Sequence, residues 1–394
     1  MASRQSRRHS QNPLAAGASP LPGAPITRER LAGVDAPTHH RDTAPRKGRG
    51  AVSNRDGRFE TYRHEPEDDG WGILEEPAPR VATTVEVDAT RTILSRNDSP
   101  DIPFSRSINP YRGCEHGCIY CFARPTHTYL GFSAGLDFET RLTYKPEAAA
   151  LLERELAHRN YRCEPIALGS NTDPYQPVER KFRVTRALLE VMQRHHQPVT
   201  IVTKSARVER DIDLLGAMAQ KGLARVSVSI TTLESRLARV MEPRATAPAA
   251  RLRTITRLRD AGIPVTVLFS PIVPALNEPE LERVLEAARA AGASDAGYAL
   301  LRLPLEIEAL FVEWLEHHFP DTARRTMARM RDMRGGQAYE STFGVRMRGR
   351  GVFAELLAKR FDMARRRLGF ASPAPLRTDL FTPPAADDRQ MTLF

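Results

Sequence analysis

The chain has 394 residues, long enough to bury one large α/β enzyme domain with appendages and too long for a peptide-sized module. Hydrophobic residues make up 41%, and no apolar run approaches the roughly 18 residues that cross a bilayer, so membrane-spanning readings are excluded. The formal charge is +10, and the first 64 residues alone carry twelve basic against five acidic side chains, a net +7.

Most of that excess belongs to a Pro/Gly/Ser/Arg-rich leader, residues 1–58, which has few aromatic residues and no periodic apolar pattern and reads as disordered. Its first residues are basic but lack the apolar segment of a secretory signal, which points to the cytoplasm. A basic tail attracts phosphates by counterion release, or simply keeps an enzyme in solution; both readings stay open. Residues 59–104 form an N-terminal extension.

From Pro165 onward, short strand candidates rich in Val, Ile and Thr (165–169, 198–204, 224–231, 263–269 and 296–303) alternate with helical patterns. Apolar residues at helical spacing fill 146–159, 184–196 and 210–222, and Gly222 and Gly262 are natural helix stops. Adding a strand just before a cysteine triplet gives six βα units over 105–320. That predicts an α/β fold, a partial (β/α)6 TIM-like barrel, shorter than the roughly 250 residues of a complete eight-stranded barrel. Beyond 320 an Arg-rich helix, a Gly-rich turn and a last helix near 352–368 make a C-terminal extension (321–370). A tail, 371–394, ends Gln390-Met391-Thr392-Leu393-Phe394.

Four cysteines are too few for a disulfide scaffold in a chain of this length, and three of them are crowded into eight positions. Cys114, Cys118 and Cys121 follow a C-x3-C-x2-C spacing, with Tyr120 before the last thiol and Gly113 and Gly117 loosening the loop. Three thiolates so close in sequence can wrap one cubane iron–sulfur cluster and leave its fourth iron open to a ligand. A structural zinc is the alternative, with His116, His127 or Cys163 as fourth ligand. The protein would then be a non-catalytic zinc- or iron–sulfur-binding nucleic-acid module.

CEHGCIYC resembles the hallmark of the radical S-adenosylmethionine (SAM) superfamily, C-x3-C-x-aromatic-C. The flanking NPYRGCEHGCIYCFARPTH, the later GSNTDPYQPVE and VTKS are similar to the branch related to spore photoproduct lyase, over about residues 100–320. The resemblance implies a [4Fe-4S] cluster on Cys114, Cys118 and Cys121 whose open iron chelates SAM, reduced by a donor of the flavodoxin or ferredoxin type. Reductive cleavage of SAM would yield a 5′-deoxyadenosyl radical that takes a hydrogen atom from the substrate. It further implies an enzyme of lyase or transferase type acting on nucleic acid, as in DNA repair, with RNA modification as the alternative.

In a parallel barrel, ligands gather at the C-terminal strand ends. Ser170, Asn171, Thr172 and Asp173 resemble the superfamily's second-strand loop that holds the methionyl amino group, Asp173 being the anionic partner. Lys204 is the candidate for the cofactor carboxylate. Ser229 and Thr231 alternate with Val228 and Ile230, so their hydroxyls point to the lumen and the ribose or carboxylate. Glu242 and Arg244 pair with each other or touch the cofactor. Two readings stay open for Asn171 and Asp173, which would also suit a turn before Pro174, and for Lys204, which would also suit a surface strand end. Cys163 reads as a small buried hydrophobe, His195, His196, His317 and His318 as helix-end residues, and Trp71 and Trp314 as packing.

The lyase branch returns a hydrogen atom from a cysteine near the end of the second strand. Gly169, Ser170 and Asn171 hold no thiol there, so dimer reversal by that route is not expected, and Tyr175, Tyr298 and Tyr339 become candidate relays. The terminal QxxLF resembles peptides that dock on the β sliding clamp, through Gln390, Leu393 and Phe394; the other reading is that the last two residues fold back on the protein. The Arg-rich stretches 324–334 and 346–350 are compatible with nucleic acid.

Overall fold

The structure, a computed structural model, describes residues 45–60 and 81–385. Among the described residues, ten strands follow in chain order: β1 (Thr84–Val87), β2 (Ser95–Arg96), β3 (Arg106–Ile108), β4 (Tyr111–Arg112), β5 (Arg141–Tyr144), β6 (Ile166–Leu168), β7 (Val199–Thr203), β8 (Ala224–Ser229), β9 (Val265–Ile272) and β10 (Asp295–Leu300).

Six of them, in the spatial order β3-β6-β7-β8-β9-β10, pair parallel, and β2 adds an antiparallel edge beside β3. Spatial order repeats chain order, so every crossover carries the chain one strand further in the same direction. The sheet curls into a partial barrel with all C-terminal strand ends on one rim. The strand and helix expectations therefore hold within a few residues, including the strand placed before the cysteine triplet.

Val, Ile and Leu on the strands meet Leu188, Leu215, Leu258 and Leu285 from the intervening helices Val184–Arg194, Ile212–Gln220, Pro248–Asp260 and Leu281–Ala291 in one continuous core. Each of these leucines is fully buried, so truncation to alanine costs about 2–5 kcal/mol. No helix among the described residues is long and apolar enough to cross a membrane.

A second sheet, ordered β1-β5-β4, ties the N-terminal extension to the barrel: β1 runs parallel to β5, and β4 antiparallel to it. Strands this short carry too few alternations to show as a pattern in the sequence.

The leader boundary needs correction. Composition places residues 45–58 in the disordered leader, yet Ala51, Val52 and Ser53 are buried, and the amides of Gly50 and Ala51 each donate to Glu139 at 2.9 Å. The segment packs through main-chain amides and through side chains: Ala51 and Val52 join the core, and Arg49 donates to Glu139 O and Val81 O. At Gly50 an added Cβ would stand 1.8 Å from the Gly117 carbonyl oxygen.

The tail also packs as far as Thr382. Arg377 N donates to Gly222 O at 3.0 Å and Thr382 N to His195 O at 3.0 Å, near the N-terminal ends of the strands. Trp314 is a core residue whose indole donates to Val240 O; Trp71 and the terminal Gln390, Leu393 and Phe394 lie outside the described residues.

Candidate active site

The cysteine loop follows β4 and is held from below. Buried Arg124 donates to the carbonyls of Cys118 (2.9 Å), Ala134 (3.0 Å) and Gly135 (2.8 Å) and pairs with Glu139, which also takes the Gly50 and Ala51 amides. Gln176 closes the other side, accepting from Glu115 N at 2.9 Å and donating to Gly113 O at 3.2 Å. Gly117 takes φ 65°, and a Cβ there would stand 2.7 Å from Glu139 Oε2, so glycine is required for both conformation and space.

Cys114, Cys118 and Cys121 line one cavity at the C-terminal rim of the barrel. Burial pushes all three thiols up, Cys118 to about 12. The folded chain thus disfavours bare thiolates here, and a bound metal would have to displace the protons.

The other zinc-ligand candidates are engaged elsewhere. His116 Nδ1 faces Asp173 Oδ2 at 3.3 Å, His127 Nε2 meets Arg141 O at 2.8 Å, and the Cys163 thiol donates to Gln197 Oε1 at 3.6 Å. Among the described residues, no three His, Cys, Asp or Glu side chains stand close enough to hold a single metal ion. Three thiols on a common wall suit a larger cluster with one corner left open.

Ser170, Asn171, Asp173, Lys204 and Ser229 face the same cavity. Asn109, at the end of β3, organises the first two: its Oδ1 accepts the Asn171 amide at 3.0 Å and its Nδ2 donates to Ser170 Oγ at 3.0 Å. Asp173 does not offer the free carboxylate expected of it. Its Oδ1 accepts from Thr203 Oγ1 (2.8 Å) and Tyr175 N (2.8 Å), and its Oδ2 from Lys204 N (2.7 Å). Burial opposes its ionisation, but His116 and these amides outweigh it and hold the carboxyl down at about 2. Asp173 fixes the loop's shape.

Four expected cofactor contacts do not reach the cavity wall. Thr172 is buried and donates to Tyr111 O. Thr231 donates to Glu242, which also receives Tyr120 Oη and pairs with Arg251 in a fully buried cluster. Arg244 pairs with Glu115 at 3.0 Å rather than with Glu242. Alternation along β8 ends at Ser229, so Thr231 is no longer governed by the strand's two-sided pattern.

None of the three relay candidates lines the cavity either. Tyr175 is buried with its hydroxyl on Asp211 (3.0 Å), Tyr298 packs on Phe361, and Tyr339 lies off the wall. Tyr120 is the tyrosine that does line it.

Lys204 Nζ has no carboxylate within ion-pair reach among the described residues. Burial works against its charge, but Cys118 and Glu242 nearby raise its affinity for the proton overall. Sequence reasoning misses Asn109, Phe122, Arg302 and Met347. Asn109 carries a usable signal, a polar residue where a parallel strand ends; the other three come together only through the fold.

A family model described as the Radical SAM superfamily matches residues 108–288. An uncharacterized protein of Mycobacterium bovis is 35% identical over 296 residues, covering 74% of this chain and 83% of that protein. The chain belongs to the radical SAM superfamily. An uncharacterized protein of Methanocaldococcus jannaschii is 28% identical over 44% of this chain and 62% of its own length. Among solved structures, a spore photoproduct lyase variant with bound AdoMet and dinucleoside spore photoproduct superposes with a TM-score of 0.52 at 16% identity, over 72% of this chain and 78% of that one, a likeness of fold. This radical SAM protein is an enzyme with a [4Fe-4S] cluster and SAM as cofactors, so the zinc-holding module is set aside.

Proposed function

We propose that this enzyme takes a hydrogen atom from a nucleotide within nucleic acid, in a repair-like reaction in the cytoplasm. The observation that carries the proposal is one cavity in which three thiols, Lys204 and the Ser170–Asn171 turn meet, on a fold shared with a spore photoproduct lyase structure that has AdoMet and dinucleoside spore photoproduct bound. When bound, the cluster and SAM supply one-electron cleavage of a carbon–sulfur bond and, with it, a hydrogen-atom acceptor.

The chain's own residues do the positioning. Cys114, Cys118 and Cys121 would hold the cluster, Lys204 would meet the SAM carboxylate as a point charge, and Ser170 and Asn171, steadied by Asn109, would receive its amino group. Ser229, whose hydroxyl donates to Ser270 O at 3.1 Å, keeps lone pairs for the ribose. Asp173 fixes the turn from within the wall, and Thr172, Thr231 and Glu242 hold it from behind.

No thiol stands at the end of β6, and Cys163 lies outside the cavity, so the proposed reaction is not thiol-dependent dimer reversal. A low-potential donor of the flavodoxin or ferredoxin type would supply the electron. Docking on a β sliding clamp through Gln390, Leu393 and Phe394 belongs to the same proposal; equal capture of clamp by chains with and without the last five residues would rule it out.

The test is anaerobic. Protein reconstituted with iron and sulfide, given dithionite and SAM, should release 5′-deoxyadenosine, and photo-crosslinkable DNA and RNA pools should be captured and raise that release. Release without capture of, or response to, either pool would remove nucleic acid as the substrate.

A further inference from the structure

Among the described residues, two cationic side chains of the cavity have no carboxylate in ion-pair reach, and SAM has one carboxylate. Lys204 lies deep, its ammonium 5.7 Å from the Tyr120 ring centroid. Arg302, just beyond β10, stands on the same wall, its guanidinium 5.0 Å from the centroid of Phe122.

Arg302 is poorly satisfied. Its Nε is buried without a hydrogen-bond partner, and its Nη1 reaches only the Met347 thioether at 3.8 Å, a weak acceptor. Arg346 pairs with Asp101, and Arg334, whose Nε also lacks a partner, spends its other nitrogens on the carbonyls of Leu301 and Arg346, whereas Arg302 has only the thioether. Arg346 and Arg334 account for part of the basic stretches whose composition suits nucleic acid. Phe122 directly follows the half-buried Cys121 and is 42% exposed.

We infer that Arg302 and Phe122 form the substrate-reading pair of this site: Arg302 takes one phosphate of a single-stranded DNA segment, and Phe122 stacks a base adjoining the reacting nucleotide. The inference rests on the proposed nucleic-acid reading and adds residues and strandedness to it. Cys114 and Cys118 are only 7% and 8% exposed, so a base must leave its stack to reach the chemistry, and a stacking surface at the mouth compensates for that loss. The guanidinium over one face of the ring leaves the other face for a base and supplies a forked phosphate donor next to it.

The experiment measures binding of a fluorescein-labelled mixed-sequence DNA strand, with an RNA strand of the same sequence in parallel, to the cluster-loaded full chain over a range of salt. Arg302→Met should weaken DNA binding about tenfold and reduce the slope of log affinity against log salt by about 0.7, the loss of one phosphate contact on a single strand. Phe122→Leu should weaken binding about tenfold with the slope unchanged, and Arg302→Lys should restore the slope. Arg377→Met, at an exposed Arg377–Asp379 pair near the opposite ends of the strands, is the control.

Iron content and substrate-free SAM cleavage report folding; should Arg302→Met lose iron, the opposed effects of Arg302→Lys and Phe122→Leu on slope and affinity decide. Wild-type affinity and slope in Arg302→Lys, Arg302→Met and Phe122→Leu together would overturn the inference and leave the nucleic-acid reading standing. No salt-dependent binding of either strand by the wild type or Arg377→Met would overturn both. Binding of RNA alone would move the reading to RNA and overturn the DNA assignment.

Discussion

Beneath the cysteine loop Arg124 meets Glu139 and Arg251 meets Glu242, all four buried, whereas along the cavity Lys204 and Arg302 meet no carboxylate among the described residues. The two regions lie next to each other and treat charge in opposite ways. In the floor, a buried ion is tolerated only when a counter-ion and further hydrogen bonds surround it, so the pairs lock backbone carbonyls and amides in place. At the wall, Lys204 and Arg302 lean on the rings of Tyr120 and Phe122 but form no ion pair among the described residues, which leaves them available to an anionic ligand. Paired charges here build the loop; open ones face what the loop is built to receive.

The largest expected effect breaks the object both regions serve. Replacing Cys118 by Ala would remove one of the three proposed cluster ligands, and reconstituted protein should lose its iron and all release of 5′-deoxyadenosine. Retention of four irons with wild-type cleavage would show that the three thiols are not the ligand set. Next comes the floor. Glu139→Gln leaves the guanidinium of Arg124 buried without a counter-ion, and the fold should lose about 3–5 kcal/mol, read from urea unfolding of the metal-free chain. A loss below about 1 kcal/mol would mean that the backbone carbonyls around Arg124 suffice and that the floor is not held by charge pairing.

The wall offers a smaller, sharper contrast. Lys204→Met should lower SAM affinity by about tenfold to a hundredfold, the worth of one charge-assisted contact, with iron content unchanged, as measured by equilibrium dialysis on loaded protein. Unchanged affinity would assign the carboxylate to Arg302 and reverse the roles proposed for the two cations.

Much of the barrel and of its wall is legible in the amino-acid sequence alone. Strands β6 to β10 and their helices announce themselves because Val, Ile and Leu recur with the right periods, and the cysteine triplet stands out because thiols are rare in this chain. Ser170, Asn171, Lys204 and Ser229 follow from the rule that strand ends face the ligand. What stays hidden depends on distant parts of the chain. Thr231, Glu242 and Arg251 form one buried cluster across separate elements, and nothing local distinguishes such a cluster from a binding site. Gly50 and Ala51 reach Glu139 across nearly ninety residues through main-chain amides, a contact that leaves no side-chain signature.

The smallest expected effect concerns the fourth cysteine. Cys163 sits ahead of β6, its thiol on Gln197 Oε1, while the cavity opens beyond the other end of that strand. Burial comes first in pushing this thiol up to about 11; Arg106 opposes it and Glu164 adds to it. Below that pH the group is a neutral thiol, so iodoacetamide should label it slowly near neutrality and faster as pH climbs toward 11. Cys163→Ala should leave iron content, SAM cleavage and any nucleic-acid-stimulated turnover as they are in the wild type. If turnover on substrate fell while substrate-free cleavage held, a thiol on the far side of the strand would be returning the hydrogen atom, and the division between a structural floor and a reactive wall would have to extend through the barrel itself.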